Sequence, residues 1–207
     1  MKTLLVYDAF FSHGQSEKIN LEIATLLTAD ILTATYSFNS YIPEYLGYHG
    51  KIIEVYKTFE RNPSWIQTYI LSWKFFKNRS IFENYDTFFL CDRWLRAIPY
   101  IWEWANISYF LQKMPSFLRE FSEEEIAKIP YLLRWFYDIK KWFSRKIFIS
   151  RIKRVKRIFT NSSKNKAELI KITGRSDIVV LHPAVNTSQF HPVKQKMKFV
   201  FEEHNNI

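Results

Sequence analysis

The sequence Arg157-Ile158-Phe159-Thr160-Asn161-Ser162-Ser163 joins a short apolar run to a helix-capping signal. The run is typical of a buried strand, and Ser162 or Ser163 can accept a hydrogen bond from the first turn of a following helix. Gly174 is expected to end that helix, because glycine readily adopts the left-handed conformation found just after helices. The next strand is Asp177-Ile178-Val179-Val180-Leu181. Strand, helix and strand in this order predict a parallel β-α-β unit.

The same alternation runs back to the N-terminus. Five earlier apolar runs are predicted as strands, namely Leu4–Tyr7, Ile31–Thr35, Lys51–Tyr56, Thr87–Cys91 and Ile107–Leu111. Helices are predicted between strands, one capped by Ser16, one beginning at Asn62-Pro63 and one from about Tyr131 to Lys156. We therefore predict an α/β fold, a Rossmann-like parallel sheet with helices on both faces.

Ligands of such sheets bind outside the carboxyl ends of the strands. This rule selects five segments before any family is considered: Asp8 to Ser16, Cys91 to Trp94, Gln112 to Pro115, Asn161 to Ser163, and His182 to Asn186.

Composition bounds the cellular setting. The chain has 207 residues, a formal net charge of +10, 18% aromatic residues and a single cysteine, Cys91. One cysteine cannot form an internal disulfide, which fits a reducing compartment, and a cysteine that ends an apolar run is typical of a core residue. The N-terminus does not resemble a signal peptide, and no stretch has the roughly 20 apolar residues of a membrane span. We expect a cytoplasmic protein that meets membranes only at their surface.

Missing motifs disfavour several kinds of site. The sequence contains neither the G-x-G-x-x-G of dinucleotide-binding folds nor a Walker loop, and it lacks a G-x-S-x-G nucleophile elbow. Its five histidines are far apart and show no zinc-site spacing. We therefore predict no metal and no covalently bound cofactor.

Two segments near the C-terminus, Arg157 to Ser163 and His182-Pro183-Ala184-Val185-Asn186-Thr187-Ser188-Gln189-Phe190-His191-Pro192, carry a resemblance. They resemble the end of the N-terminal domain in the retaining GT-B glycosyltransferases that include lipid-linked mannosyltransferases and sucrose synthases (family 4-like). There an Asn-Ser pair ends one strand, and the next strand runs into Pro-Gly-Val-Asp and Phe-x-Pro. Gly14-Gln15-Ser16-Glu17-Lys18 looks like that family's Gly-Gly-Ala-Glu-Lys loop, and Ile107 to Pro115 stands where its substrate-facing segment lies.

The resemblance implies that residues 1–192 are the Rossmann-like, acceptor-side N-terminal domain, one half of a GT-B architecture. Residues 193–207 would be a tail or the start of a C-terminal domain. In the family that second domain holds the nucleotide-sugar through a basic pair and a Glu-x7-Glu segment, so we expect a donor-binding domain in cis or in trans. The implied activity is transfer of a sugar from a nucleotide-sugar to an acceptor, which is lipid-linked in many relatives.

Several positions depart from the family pattern. Gln15 replaces the second glycine of the loop, and Ala184 and Asn186 replace the glycine and aspartate of Pro-Gly-Val-Asp. Gln112 or Lys113 stands where many members carry a histidine. No catalytic residue is assigned for this reason.

The strand-end rule and the resemblance together give the substrate-binding candidates Gly14, Gln15, Asp92, Arg93, Lys113, Asn161 and Ser162. The loop at Gly14 precedes a helix N-terminus, whose N–H groups favour an anion, and Lys113 could meet a phosphate. Each has a plainer interpretation as well. Gly14 could form only a tight turn, Asp92 and Arg93 an exposed ion pair, and Asn161 and Ser162 a helix cap.

Residues 140–157, the basic stretch, hold nine cations and no acid. The predicted helix places Leu132, Trp135, Phe136, Ile139, Trp142 and Phe143 on one face, with Arg134, Lys141 and Arg145 opposite. Large aromatic residues beside cations are typical of helices that lie in an anionic bilayer surface. We predict membrane contact through Trp135, Lys140, Lys141, Trp142, Arg145, Lys146, Arg151 and Arg154. The alternative is that the aromatic face packs on the sheet.

Two other functions stay open at this point. The chain could be a non-catalytic binding module or one subunit of a split transferase, as the altered loop suggests. It could also be a basic nucleic-acid-binding protein, although no recognised reading motif accompanies the charge.

Overall fold

The computed structural model describes residues 1–10, 15–36, 47–56, 70, 73–91, 97–115, 118 and 131–182. Seven strands lie within these residues: β1 (Thr3–Phe10), β2 (Asp30–Tyr36), β3 (Ile52–Glu54), β4 (Thr87–Cys91), β5 (Asn106–Leu111), β6 (Arg157–Thr160) and β7 (Ile178–Val180). The α-helices are α1 (Gln15–Leu26), α2 (Tyr131–Ile152) and α3 (Ser163–Thr173), and Arg79–Asn84 form a short 3₁₀ helix. Residues 73–77 are helical as well.

The seven strands form one sheet in the order β3-β2-β1-β4-β5-β6-β7, and every pair is parallel. The chain moves outward from β1 to β3 and then crosses to β4, from which it continues in the other direction. The order therefore reverses between β1 and β4, and their carboxyl ends form the switch point of a wound sheet. The predicted α/β fold with a Rossmann-like parallel sheet is confirmed.

Both faces of the sheet are buried because side chains alternate along each strand. One face carries Leu5, Ile31, Phe89 and Phe110 and packs against α1. The other face carries Leu4, Val6, Phe88 and Tyr109, and it is covered by a layer that includes Phe75, Phe82, Phe148, Ile152 and Leu169. Helices α2 and α3 and helical residues 73–77 thus lie on the face opposite α1.

The observed ends of α3 agree with the prediction, whereas one end of α1 and one end of α2 differ from it. Ser162 caps α3, its Oγ accepting from the Asn165 N–H at 3.2 Å, and Gly174 ends that helix with a φ of 70°. Ser16 was predicted as a cap but is the second residue of α1, because the helix already begins at Gln15. Helix α2 ends at Ile152 rather than Lys156, where the Arg175 guanidinium donates to the carbonyls of Ile152, Val155 and Lys156.

Other predictions fall outside the described residues. These are the helix start at Asn62-Pro63, the segment from Pro183 to Pro192 and the tail 193–207. Strands β3 and β7 are shorter than predicted, since they span only Ile52–Glu54 and Ile178–Val180. Backbone hydrogen bonds to the neighbouring strands nevertheless continue at Val55, Tyr56 and Leu181. Among the helices that the structure describes, none combines the length and hydropathy needed to span a bilayer.

Candidate functional site

A buried polar cluster lies at the carboxyl edge of the sheet, beside the switch point. Cys91 is the last residue of β4, Gln112 follows β5, and Asn20 lies in the second turn of α1. The Cys91 thiol donates to Asn20 Oδ1 at 3.2 Å, and Gln112 Nε2 donates to the same oxygen at 3.1 Å. Asn20 and Cys91 are fully buried and Gln112 is 9% exposed. Helix α1 and the ends of β4 and β5 therefore bring three polar side chains into contact at the carboxyl edge of the sheet.

The side-chain nitrogen of Asn20 makes no hydrogen bond to the described residues in this arrangement. Within the described part of the chain, Asn20 Nδ2 is a buried donor with no hydrogen-bond partner, and Thr87 Oγ1, at the amino end of β4, is the other such atom. Turning the Asn20 carboxamide over would exchange its nitrogen and oxygen but leave one of them unpartnered. A buried polar atom without a partner costs about 1–3 kcal/mol. A ligand atom or a water molecule at this position would recover that free energy.

The polar cluster continues across the sheet toward the surface. Asn165 Nδ2 donates to the Gln112 carbonyl at 3.3 Å and to Asn161 Oδ1 at 3.0 Å. Thr160 Oγ1 donates to the Leu111 carbonyl at 3.0 Å, which ties together the ends of β5 and β6. We call Asn20, Gln112, Asn165 and Asn161 the amide row. Asn161 and Asn165 are half-buried, so the row runs from the interior to the surface.

The predicted substrate-binding residues are placed as follows. Asn161 belongs to the amide row and Ser162, which caps α3, follows it. Lys113 follows Gln112 and is exposed, and Gln15 is the first residue of α1. Gly14, Asp92 and Arg93 lie outside the described residues.

Sequence reasoning missed Asn20 and Asn165. Asn20 had one available signal, since it lies between Ile19 and Leu21 and one turn before Ala24, on the helix face that packs on the sheet. A polar residue on the apolar face of an amphipathic helix indicates an internal hydrogen-bond partner. Asn165 gave no comparable signal, because a polar residue in the first turn of a helix is ordinary.

The side chains of the amide row can bind but are not ionisable. A carboxamide both donates and accepts hydrogen bonds, which suits the positioning of hydroxyl groups on a ligand. Across the described ranges there is no group of three or more His, Cys, Asp or Glu side chains that could hold a metal ion.

A shallow depression of about 350 Å³ lies at the opposite, amino edge of the sheet and is lined by Lys2, Asp30, Lys51, Ile53, Ile81, Asn84 and Tyr85. Its carboxylate is already bonded, since Asp30 accepts from the Tyr85 hydroxyl at 2.8 Å and the Lys51 N–H at 2.9 Å. Burial, together with the hydrogen bond to Asp30, raises the pKa of Tyr85 well above its usual range. We assign this depression no ligand, because wound sheets bind ligands at the other edge.

Helix α2 packs on the sheet with one face and carries four large apolar residues on the other. Phe148 and Ile152 are buried, and the Phe148 ring meets Tyr109 edge-on at 6.3 Å between centroids. Four residues on the opposite face, the exposed stripe, are largely exposed: Trp135 64%, Ile139 54%, Trp142 57% and Phe143 59%. The alternative in which these four pack on the sheet is therefore wrong. The side chains of Leu132 and Phe136 lie outside those described.

The predicted surface cations divide into two groups. Lys140, Arg145 and Lys146 are exposed, Lys141 is half-buried, and Lys146 Nζ lies 4.2 Å from the centroid of the Trp142 ring. Arg151 is half-buried, and burial lowers the pKa of its guanidinium. Arg154 donates to the carbonyls of Ile98 and Ile101 at 2.8 Å and of Trp102 at 3.0 Å, so it serves the fold rather than a surface.

No family model and no curated protein matches this sequence. Solved structures do match. A crystal structure of Anabaena HepE in complex with UDP and glucose superposes with a TM-score of 0.53 at 14% identity, covering 91% of this chain and 46% of HepE. A HepE structure with UDP alone gives a TM-score of 0.55 at 14% identity, with 91% and 45% covered.

At this identity the likeness shows the fold alone. The chain shares its α/β, Rossmann-like fold with part of HepE, and it spans less than half the length of the two structures. The narrower resemblance to retaining family 4-like enzymes stays a prediction.

Proposed function

We propose that this chain is the acceptor-side half of a GT-B glycosyltransferase, acting on an acceptor at a membrane surface. One observation carries the proposal: a wound parallel sheet of this class holds its buried polar cluster at the carboxyl ends of β4, β5 and β6. That is the edge at which such sheets bind ligands. The two matching HepE structures hold UDP, and one of them also holds glucose, which supports a nucleotide-sugar as donor.

The donor would be held mainly by a second Rossmann-like domain, in cis or in trans. Sugar transfer requires an acceptor hydroxyl held at attack distance and stabilisation of the charge that develops on the leaving diphosphate. The amide row supplies positioning for hydroxyl groups. The N-terminus of α1, which begins at Gln15, and the exposed Lys113 supply positive potential at the same edge.

Membrane contact is proposed through the exposed stripe of α2 and the exposed cations of the same helix. Four large apolar side chains are more than half exposed, and Lys140, Arg145 and Lys146 are exposed with them. Aromatic residues can enter the headgroup region while the cations meet anionic lipids, each adding about 1 kcal/mol.

Vesicle flotation tests the surface claim. At low salt we expect the chain to float with phosphatidylcholine vesicles that contain phosphatidylglycerol and to remain in solution with phosphatidylcholine alone. Added salt should release it, because screening weakens the attraction. Equal flotation with both kinds of vesicle would show that binding does not depend on anionic lipid, which would contradict this part of the proposal.

Sugar transfer is tested by supplying the donor-binding half. The chain is assayed alone and together with a donor-binding GT-B domain encoded beside it, using radiolabelled UDP-glucose and a lipid extract of the host. We expect labelled product only when both halves are present. Absence of product with both halves, and with other nucleotide-sugars, would overturn the transferase proposal.

A non-catalytic binding module is the second candidate, and one observation favours it. Gln112 or Lys113, which follow β5, stand where many members of the family that the sequence resembles carry a histidine. If the position is that of Gln112, its carboxamide cannot accept or release a proton near neutral pH. A binding module would retain carbohydrate affinity but give no transfer with any donor half.

A further inference from the structure

We infer that the amide row is a carbohydrate subsite and that Asn20 Nδ2 donates a hydrogen bond to a hydroxyl of a neutral sugar. This inference rests on the proposed function and names the part of the acceptor that the site would recognise. It starts from the buried nitrogen of Asn20, which has no partner within the described residues.

The chemistry of the row selects a neutral ligand. Its four members are carboxamides, and the side chains bonded to them or beside them, those of Cys91 and Ser162, are a thiol and a hydroxyl. A carboxamide can donate to and accept from a hydroxyl at once, as sugars require. An anion would instead favour cations or clustered N–H groups. The row itself holds no cation, and of the lysines next to it in sequence Lys113 and Lys164 are exposed and Lys166 is half-buried.

The orientation of Asn20 is fixed before any ligand binds. Its Oδ1 accepts from both Cys91 and Gln112, at 3.2 Å and 3.1 Å, so the carboxamide plane is held from two sides. Nδ2 is therefore a preorganised donor, and a ligand would not have to bear the entropy cost of ordering it. Hydrogen bonds also connect Asn20 to the surface, since Gln112 bonds Asn20 through its side chain and the half-buried Asn165 through its backbone carbonyl.

Cys91 provides a native reporter of this cluster. It is the single cysteine of the chain, and its sulfur lies 3.2 Å from the side-chain oxygen of Asn20. Cys91 is fully buried, so iodoacetamide reaches its thiol only when the cluster opens. A ligand seated on Asn20 would hold the cluster closed, so the rate at which iodoacetamide alkylates the chain should report occupancy. Mass spectrometry of the intact chain measures that rate without an added label.

The test compares alkylation of the full chain with glucose, galactose or maltose and with inorganic phosphate as the anionic control. We expect at least one sugar to slow alkylation saturably. The slowing should be about threefold when the sugar is at twice its dissociation constant, because about one third of the sites are then empty. Phosphate should leave the rate unchanged. Protection by phosphate alone, or no protection by any of the sugars, would overturn the inference.

Two variants assign any protection to Asn20. Asn20→Ala and Asn20→Leu should each abolish the effect of sugar, and the leucine variant keeps side-chain volume in case the alanine variant fails to fold. Asn84→Ala is the matched control at the amino edge, where the Asn84 carboxamide donates to the Ser80 carbonyl, and it should keep full protection. Unchanged protection in a folded Asn20→Leu chain would mean that a water molecule alone satisfies Nδ2, which overturns the assignment.

The same variants separate this inference from the proposed function. If Asn20→Leu, combined with a donor half, transfers sugar as well as the unsubstituted chain, the subsite is wrong and the transferase proposal stands. If sugars protect Cys91 but no donor half gives transfer, the subsite stands and the chain is a binding module.

Discussion

Residues 131–146 and residues 147–157 have similar compositions, rich in aromatic or aliphatic side chains and in cations, but the structure uses them differently. In the first region the exposed stripe faces outward, and Lys146 lies over the Trp142 ring. In the second region Phe148 is buried against the sheet, and the Arg154 guanidinium bonds three backbone carbonyls. Composition alone therefore does not decide whether a basic aromatic segment meets solvent. Whether such a segment is buried depends on the backbone carbonyls and the apolar surface that the fold places beside it.

The largest effect is expected when one phenylalanine in each region is replaced by alanine. Phe148→Ala should lower the free energy of unfolding by about 3–5 kcal/mol, because it removes a buried ring and leaves a cavity. Phe143→Ala, on the exposed stripe, should change it by less than about 0.5 kcal/mol. Urea denaturation followed by circular dichroism measures both. Equal losses would show that the stripe is part of the core.

A second, smaller effect is expected for the cations. Arg154→Ala should cost about 2 kcal/mol, since three carbonyls lose a charged donor, whereas Lys146→Ala should leave stability nearly unchanged. Arg154→Lys should recover only part of the loss, because an ammonium group lacks the planar fork of a guanidinium. The contrast fails if the Arg154→Ala chain unfolds at the same urea concentration as the Lys146→Ala chain.

Lipid binding, in contrast to stability, should depend on the first region, residues 131–146. Trp142→Ala should weaken flotation with anionic vesicles by about 1–2 kcal/mol, or about 5- to 30-fold, through lost apolar contact with the bilayer. Trp104→Ala provides a control, because Trp104 is an exposed tryptophan outside α2 that stacks on Trp102 at 5.6 Å. Equal weakening by both substitutions would mean that exposed tryptophans contribute without regard to position.

The smallest effect concerns the acid stability of the second region. Arg175, which binds the carbonyls at the end of α2, also donates to the Asp177 carboxylate, and that hydrogen bond holds the pKa of Asp177 below its ordinary value. The stabilisation is fully present above about pH 4, the pKa of aspartate in an unfolded chain, and is lost as pH falls through the lower folded-state pKa.

Asp177→Asn should therefore lose less stability than the unsubstituted chain when the pH is lowered from about 7 to about 3. The difference should be under about 1 kcal/mol, because the carboxylate is largely exposed. Urea midpoints at the two pH values provide the measurement. An identical loss in both chains would show that the pair does not contribute to stability.

The sequence predicted the strands well wherever an apolar run is bounded by turn residues. Strands β4 and β6 have the predicted bounds, and Ser162 and Gly174 delimit α3 as expected. These signals are local, since a cap and a left-handed glycine need only their own helix. The carboxyl edge could be chosen as the ligand edge because the alternation of strands and helices already indicated parallel strands.

The rest depends on contacts between residues that are far apart in sequence. Arg154 was predicted as a surface cation because its partners lie more than 50 residues away, at Ile98 and Ile101. Asn20 was not selected because its partners, Cys91 and Gln112, are 71 and 92 positions away. The lengths of β3 and β7 were overestimated because hydropathy does not show where the regular strand ends, and single backbone hydrogen bonds continue past both ends.

The length of α2 relates the two surfaces proposed here. Phe148 packs at the level of Tyr109, and β5 continues only two residues further, about 7 Å. Trp135 precedes Phe148 by 13 residues, about 20 Å of helix. A crossover helix that leads into the next parallel strand runs antiparallel to the strands, so we expect the N-terminal part of α2 to form an overhang beyond the strand ends. A bilayer that held this overhang would be fixed at the same end of the molecule as Gln112 and Asn161. The headgroup of a lipid-borne substrate would then lie close to the carboxyl edge of the sheet without leaving the leaflet that carries it.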